Sequence, residues 1–439
     1  MLITSPLKNF FQQHGFERTY WIAYSGGMDS HVLLSLCHDL RQDYPIKLRA
    51  IHINHHLSPY SKIWSRHCEN VCSSLGIDFI EKNVHIDLTN GGSLEELARD
   101  MRYAEFAAIL AAGDMLLTAH HQDDQAETVL LQLLRGAGPK GLAAMPALKS
   151  FAQGIHARPL LGMTRETLQQ YANEKLLKWI DDESNNNIKL TRNFIRHDIL
   201  PTLITRWPSV THALTRSAKH CAEAQVLLEE FAKDILKNVQ GLNSKTLSVN
   251  KLLLLDDAKQ RLILRTWINM LGFTLPDTLK MEVIRREVLM AGQDRMPCVA
   301  WEGVELRRYR DDLYVMPGLA EHDVSFNTSW DIKEPLILNG VGILSATFVE
   351  GSGLRADIAQ ISVGFRQGGE VLRVPGRGRH TLKNLFQEWD IPTWERDRLP
   401  LLFADDKCVG VVGHCIDEDY AAKHGEMGFQ PHLIPLKRQ

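Results

Sequence analysis

Between Tyr20 and Leu203 the chain alternates short apolar runs with longer amphipathic stretches, and few folds accept that rhythm. Tyr20 to Tyr24, Lys47 to Asn54, Ile77 to Lys82 and Met115 to Ala119 read as strands. Asp29 to Leu40, Ser61 to Leu75, Ser93 to Ala112 and Asp123 to Leu134 read as helices, the third opened by a capping box of Ser93 and Glu96. Strand, helix and strand in succession predict an α/β fold: a doubly wound parallel sheet covered on both faces. From about Val210 the strand signal fades, and helical stretches such as Ala222 to Lys237 and Asp257 to Met270 take over. The expected organisation is an α/β domain over 1–210 and a mainly helical middle domain over 211–330. A linker or short β segments over 331–360 and a small α+β domain over 361–439 complete it.

Charge and cysteine usage narrow the function classes. Fifty Lys and Arg against 53 Asp and Glu leave a net charge of -3, so any nucleic-acid surface must come from local asymmetry. Seven scattered cysteines without a CxxC argue against a disulfide framework, a zinc ribbon and a cysteine-held cluster. The N-terminal stretch lacks the apolar core of a signal peptide, and no apolar run approaches a membrane span. A reduced cytoplasmic location and no membrane partner are expected.

The first predicted strand runs directly into Ser25-Gly26-Gly27-Met28-Asp29-Ser30, which opens the first helix. Glycines let the backbone approach a phosphate closely, and the helix start offers unpaired N–H groups. Ser25 and Ser30 add hydroxyls, while Asp29 beside phosphates implies Mg²⁺. The loop lacks the lysine of a GxxxxGK[ST] motif. A turn that only caps a helix is the bland alternative.

The second strand ends in His52-Ile53-Asn54-His55-His56. The fourth ends in a dense polar cluster, His120-His121-Gln122-Asp123-Asp124-Gln125-Ala126-Glu127-Thr128. Asp123 and Glu127 are four apart and share a helical face. Helix capping needs only one carboxylate, so the paired acids with His120 are candidates for holding Mg²⁺, taking a proton or gripping an amino group. Arg135 and Lys140 flank a glycine-rich turn that suits an anion contact or a plain helix stop. Arg192 and Arg196 share a helix face and suit a carboxylate, a phosphate or solvent.

These motifs in this order resemble the tRNA(Ile)-lysidine synthetases of the PP-loop ATP pyrophosphatase superfamily. SGGMDS, the HxNHxL segment at His52 to Leu57, Leu97 to Tyr103 with Arg99 and Arg102, and HHQDDQAET carry the likeness. So do Leu133 to Leu142, Arg158 to Leu161, Trp179 to Asn185 and Arg192 to Arg196, with Arg366 to Glu370, Leu382 to Phe386 and Ile391 to Arg396 near the other end. Ser58 departs from the basic residue frequent after HxNHxL.

The resemblance implies that ATP adenylates C2 of the first anticodon cytidine in the CAU-anticodon isoleucine tRNA. Free L-lysine then displaces AMP to give lysidine. It implies ATP binding by Ser25, Gly26, Gly27, Met28, Asp29, Ser30, His52 and Asn54, with Asp29 and Asp123 toward Mg²⁺. Catalysis would fall to Asp29, His120, Asp123, Asp124 and Glu127, and lysine or tRNA contact to Arg99, Arg102, Arg135, Arg192 and Arg196.

From Arg366 to Lys383 five basic residues (Arg366, Arg373, Arg377, Arg379, Lys383) meet one acid, Glu370. This is a candidate phosphate-backbone surface, with Trp394 and Arg396 as a possible base platform against the commoner core role of tryptophan. A tRNA thiolase of the same superfamily and a non-catalytic tRNA-binding protein are the rival readings. Both a monomer and a homodimer remain open.

Overall fold

The computed structural model describes residues 4–85, 94–183, 187–292, 295–358 and 360–435. They form two compact units, Met1–Leu228 and Glu229–Gln439. The helix that begins where the first boundary was expected, at Val210, runs on to Asn238, and the division falls inside it.

In the first unit the order is α1 (Thr4–His14), β1 (Thr19–Ala23), α2 (Met28–Leu40), β2 (Lys47–Asn54), α3 (Ser61–Ser74) and β3 (Asp78–Asn83). Then come α4 (Leu94–Ile109), β4 (Met115–Leu117), α5 (Gln122–Leu134), α6 (Pro139–Leu142), β5 (Leu148–Phe151), β6 (Gly154–Ala157) and α7 (Arg165–Glu174). The sheet order is β3-β2-β1-β4-β6-β5. All neighbours are parallel except β5 and β6, an antiparallel edge hairpin that the sequence pattern does not announce. Strand alternation sends Tyr20 and Ile22 to one face, packed with Leu7, Phe11, Val32 and Leu36. Trp21 goes to the other face, with Phe106, Leu110 and Leu116. Both faces are therefore dry, as a parallel sheet requires. The capping residue Ser93, like Ser184 and Asn185, lies outside the described residues.

The second unit begins with helical elements, among them Asp257–Met270, whose Ile263, Leu264, Trp267 and Ile268 enter one core. A four-stranded antiparallel sheet of Leu247–Ser248, Asp312–Pro317, Val304–Tyr309 and Cys298–Trp301 closes that core. The stretch expected to be a linker or short β segments holds the nine-residue strand Gly342–Glu350. That strand pairs antiparallel along its whole length with Met427–Pro435, so 342–350 is integral to the C-terminal layer. Leu344, Val363, Leu402 and Phe429 pack together between this sheet and the sheet holding Leu401–Ala404.

Candidate active site

β1 and β4 are sheet neighbours although β2 and β3 separate them in sequence, so the winding direction reverses there. In doubly wound sheets ligands bind beyond the strand carboxyl ends at this switch point. β1 leads into Ser25–Ser30 and β4 into Thr118–Asp124.

The loop is locked in shape. Gly26 has φ +85, and a Cβ there would stand 2.6 Å from Ile180 Cδ1 and 2.9 Å from Cys68 Sγ. Ile180 N–H also donates to Gly26 O at 3.0 Å, which gives the Trp179-Ile180-Asp181 motif its physical reason. Ser30 Oγ donates to Gly27 O at 2.9 Å and accepts from Ser25 N–H at 3.2 Å. Gly27 is the N-cap of α2, whose first-turn N–H groups have no intrahelical acceptor. Such a preset cradle suits an anion. His52 and Asn54 lie beside it but engage the protein: His52 Nδ1 donates to Tyr24 O at 2.9 Å, and Asn54 Nδ2 donates to Ser65 and Glu81.

His121 stands at the centre of the second constellation. Its Nε2 is 3.6 Å from Asp29 Oδ2 and 3.4 Å from Asp124 Oδ2, and its Nδ1 is 3.6 Å from Asp123 Oδ2. Burial alone would lower its pKa, but Asp123, Asp29 and Asp124 outweigh that and hold it up at about 10. The three carboxylates favour the imidazolium form at neutral pH, through contacts of 3.4–3.6 Å that leave buried Nδ1 without a hydrogen-bond acceptor. Burial opposes the charged forms of Asp123 and Asp124 too, yet the cation holds both below the usual carboxylate range.

A layer of guanidinium groups covers the other acids. Arg192 Nε donates to Glu127 Oε2 at 2.8 Å and its Nη2 to Asp124 Oδ1 at 2.9 Å. Arg196 Nε donates to Glu127 Oε1 at 2.6 Å and its Nη2 to Asp124 Oδ1 at 3.0 Å. Arg196 sits in a π-helical turn, Ile195–Ile199, an irregularity frequent at functional sites. Four carboxylates meet three cations, so the cluster carries one net negative charge. Asp124 and Glu127 are thus ion-paired, and neither is a free base.

Asp29 fits a cation: its Oδ1 is buried with no hydrogen-bond partner while Oδ2 faces His121. Asp123 fits less well, because its Oδ2 accepts from Arg165 N–H at 2.8 Å and also faces His121. Among the described residues no group of three or more His, Cys, Asp or Glu is arranged to hold a metal. His120, partly exposed, is held neutral: burial, with Arg158, Arg192 and Arg99 nearby, outweighs Asp124 and lowers it to about 3. Arg99, Arg102 and Arg135 are exposed, Arg99 lying 5.2 Å from the centre of the Tyr103 ring.

The basic stretch of the second unit runs from Arg366, ahead of the hairpin Val371–Val374 and Gly378–Thr381, across that hairpin and into the helix Leu382–Glu388. Arg373, Arg377 and Arg366 face carboxylates of Asp419, Glu388 and Asp397 at 3.0, 2.8 and 3.6 Å. Arg379 and Lys383 are exposed and have no ion-pair partner among the described residues. Trp394 is not a platform in this structure: it is buried edge-on against Tyr309 and Tyr314. Arg396 is buried too, donating to Ile391 O and Tyr309 Oη at 2.8 Å each.

Sequence reasoning names His120 and passes over His121. The available signal was acids two and three residues after a histidine at a strand-to-helix junction. Cys68 and Cys72, four apart on α3, are buried with thiols pushed up to about 12 by desolvation, so neither is a ready nucleophile.

The parallel sheet, switch point and glycine cradle define a nucleotide-binding α/β domain of the PP-loop class, and the model of the PP-loop domain matches residues 2–203. Models of the TilS substrate binding domain and the TilS substrate C-terminal domain match residues 247–314 and 361–433. The tRNA(Ile)-lysidine synthase of Coxiella burnetii is 44% identical over 95% of this chain and 94% of its own length. Those of Methylococcus capsulatus and Serratia proteamaculans are 43% and 38% identical over 95% and 96% of this chain, and 96% and 97% of their own lengths. The chain belongs to the tRNA(Ile)-lysidine synthase family.

Two consequences are testable. Gly26→Ala should lower ATP affinity at least about tenfold and destabilise the first unit by about 1–3 kcal/mol, read by titration and thermal unfolding. The second concerns His121, whose folded pKa lies above the ordinary 6.5, so its stabilisation is complete below pH 6.5 and lost as pH rises toward 10. The Tm should fall by roughly 5–10 °C across that window, and His121→Gln should flatten the fall.

Proposed function

We propose that this chain ligates free L-lysine to C2 of the first anticodon cytidine in the CAU-anticodon isoleucine tRNA, in the cytoplasm, using ATP and releasing AMP and pyrophosphate. The observation that carries the reading is an intact cradle and acid–guanidinium cluster at one switch point in a chain matched along nearly its whole length by lysidine synthases. In the first step the N–H groups at Met28 to Ser30 bind phosphate oxygens and counter the charge developing on the α-phosphate. Asp29 would hold Mg²⁺, which when bound supplies further positive charge to the phosphates. His121 adds a fixed positive charge on the same side of the loop.

In the second step the amine must be neutral to attack. The net negative charge of the cluster favours a cationic ligand, and the guanidinium groups of Arg192 and Arg196 suit its carboxylate. The buried, high-pKa thiols of Cys68 and Cys72, the cysteines on the helix beside the loop, offer the thiolase reading no ready nucleophile there. Incubating protein, Mg-ATP, labelled lysine and unmodified CAU-anticodon isoleucine tRNA should retain label at the first anticodon base and release AMP, and Asp29→Ala should abolish both. AMP without lysine transfer would contradict the acceptor assignment.

We further infer that Arg379 and Lys383 contact tRNA phosphates. Replacing both with Ala should weaken tRNA binding and reduce the slope of log affinity against log salt by about 1.5–2, read by filter binding across a salt series.

A further inference from the structure

A second buried polar chain lies beside the ion cluster, and the steps above leave it without a task. Arg158 is 6% exposed. Its Nη1 donates to Pro146 O at 2.7 Å, and its Nη2 stands 3.3 Å from His156 Nδ1. A guanidinium can only donate, so His156 Nδ1 accepts and that ring carries its single proton on Nε2. His156 Nε2 is 2.8 Å from Thr118 Oγ1, and Thr118 Oγ1 is 2.8 Å from His120 Nδ1.

Thr118 therefore accepts from His156, and its own proton has one protein acceptor among the described residues, His120 Nδ1. Were His120 protonated on Nδ1, the hydroxyl proton of a residue only 7% exposed would be left without an acceptor. The arrangement is built into the sheet. β4 and β6 are parallel neighbours in which Leu116 pairs with His156, and Thr118 N–H donates to Ala157 O at 3.1 Å.

We propose that Arg158, His156 and Thr118 are positioning residues that fix His120 as a neutral ring protonated on Nε2. His120 then offers substrate a hydrogen-bond donor, not a base. Among the described residues its ring is bonded through Nδ1 alone, which leaves Nε2 for a ligand, and it follows β4 at the nucleotide switch point. The ligand it suits is an oxygen that gains negative charge, a phosphoryl or nucleobase carbonyl oxygen. The choice of oxygen rests on the function proposed above, whereas the protonation pattern does not. His120 then leaves the set of bases available to the attacking amine.

The test is ¹⁵N spectroscopy of the full-length protein with labelled histidine, free of ligand at pH 7, with His120 assigned through His120→Gln. The wild-type ring should show a neutral pattern with the proton on Nε2. Thr118→Val should lose that pattern and lower kcat for AMP release about tenfold or more with the KM for ATP nearly unchanged, and Thr118→Ser should restore both. A wild-type His120 that is cationic or protonated on Nδ1 overturns the proposal without any variant. So does a Thr118→Val protein with unchanged spectrum and kcat. If the wild-type pattern is found but no lysine is transferred, the relay stands and the functional reading fails.

Discussion

A buried imidazolium holds this active site together. His121 touches carboxylates from two helices: Asp29 in the first turn of α2, and Asp123 and Asp124 in the first turn of α5. At an effective dielectric near 20, unit charges about 3.5 Å apart attract by about 4–5 kcal/mol before desolvation is counted. A buried cation without partners costs several kcal/mol, and the three surrounding acids are what favour the charged ring against that cost. That condition is met because β1 and β4 are adjacent, which brings two helix N-termini to one place. Sheet topology thus sets the protonation state, and the protonation state ties the phosphate loop to the acid cluster.

Outside that centre lies a layer of opposite logic. Arg192 and Arg196 grip Asp124 and Glu127 through charge-assisted bonds of 2.6–3.0 Å. The side chains of both arginines are about a quarter exposed, so a ligand can reach the guanidinium groups without unfolding the cluster. Paired charges of this kind cost little to rearrange when an incoming carboxylate or ammonium replaces one partner by another of the same sign. The site is thereby suited to a zwitterionic amino acid beside a polyphosphate, two ligands with very different charge.

The loop was legible because its signal is local. Strand, two glycines and helix start fall within a dozen residues, and Gly26 adopts the positive φ that such a junction needs. The parallel sheet was legible from alternation, since a buried strand and an amphipathic helix carry different periods. The pairing of Arg192 and Arg196 with Asp124 and Glu127 was not, because 65–72 residues separate the partners and no local pattern encodes it. Trp394 shows the reverse limit. Neighbouring Glu395 and Arg396 left a base platform open beside the commoner core role, and the residues that decide for the core, Tyr309 and Tyr314, lie some eighty residues away. The strand Gly342–Glu350 was obscured likewise, its partner lying at the far end of the chain.

The site as described depends on a charged His121 inside the protein at neutral pH. Following its ring nitrogens directly by ¹⁵N spectroscopy from pH 6 to 11 tests this most plainly. The structure predicts two protonated nitrogens at pH 8 and a midpoint near 10. A neutral ring at pH 8, with a midpoint at or below the ordinary 6.5, would show that the three carboxylates do not hold the proton and would contradict the account.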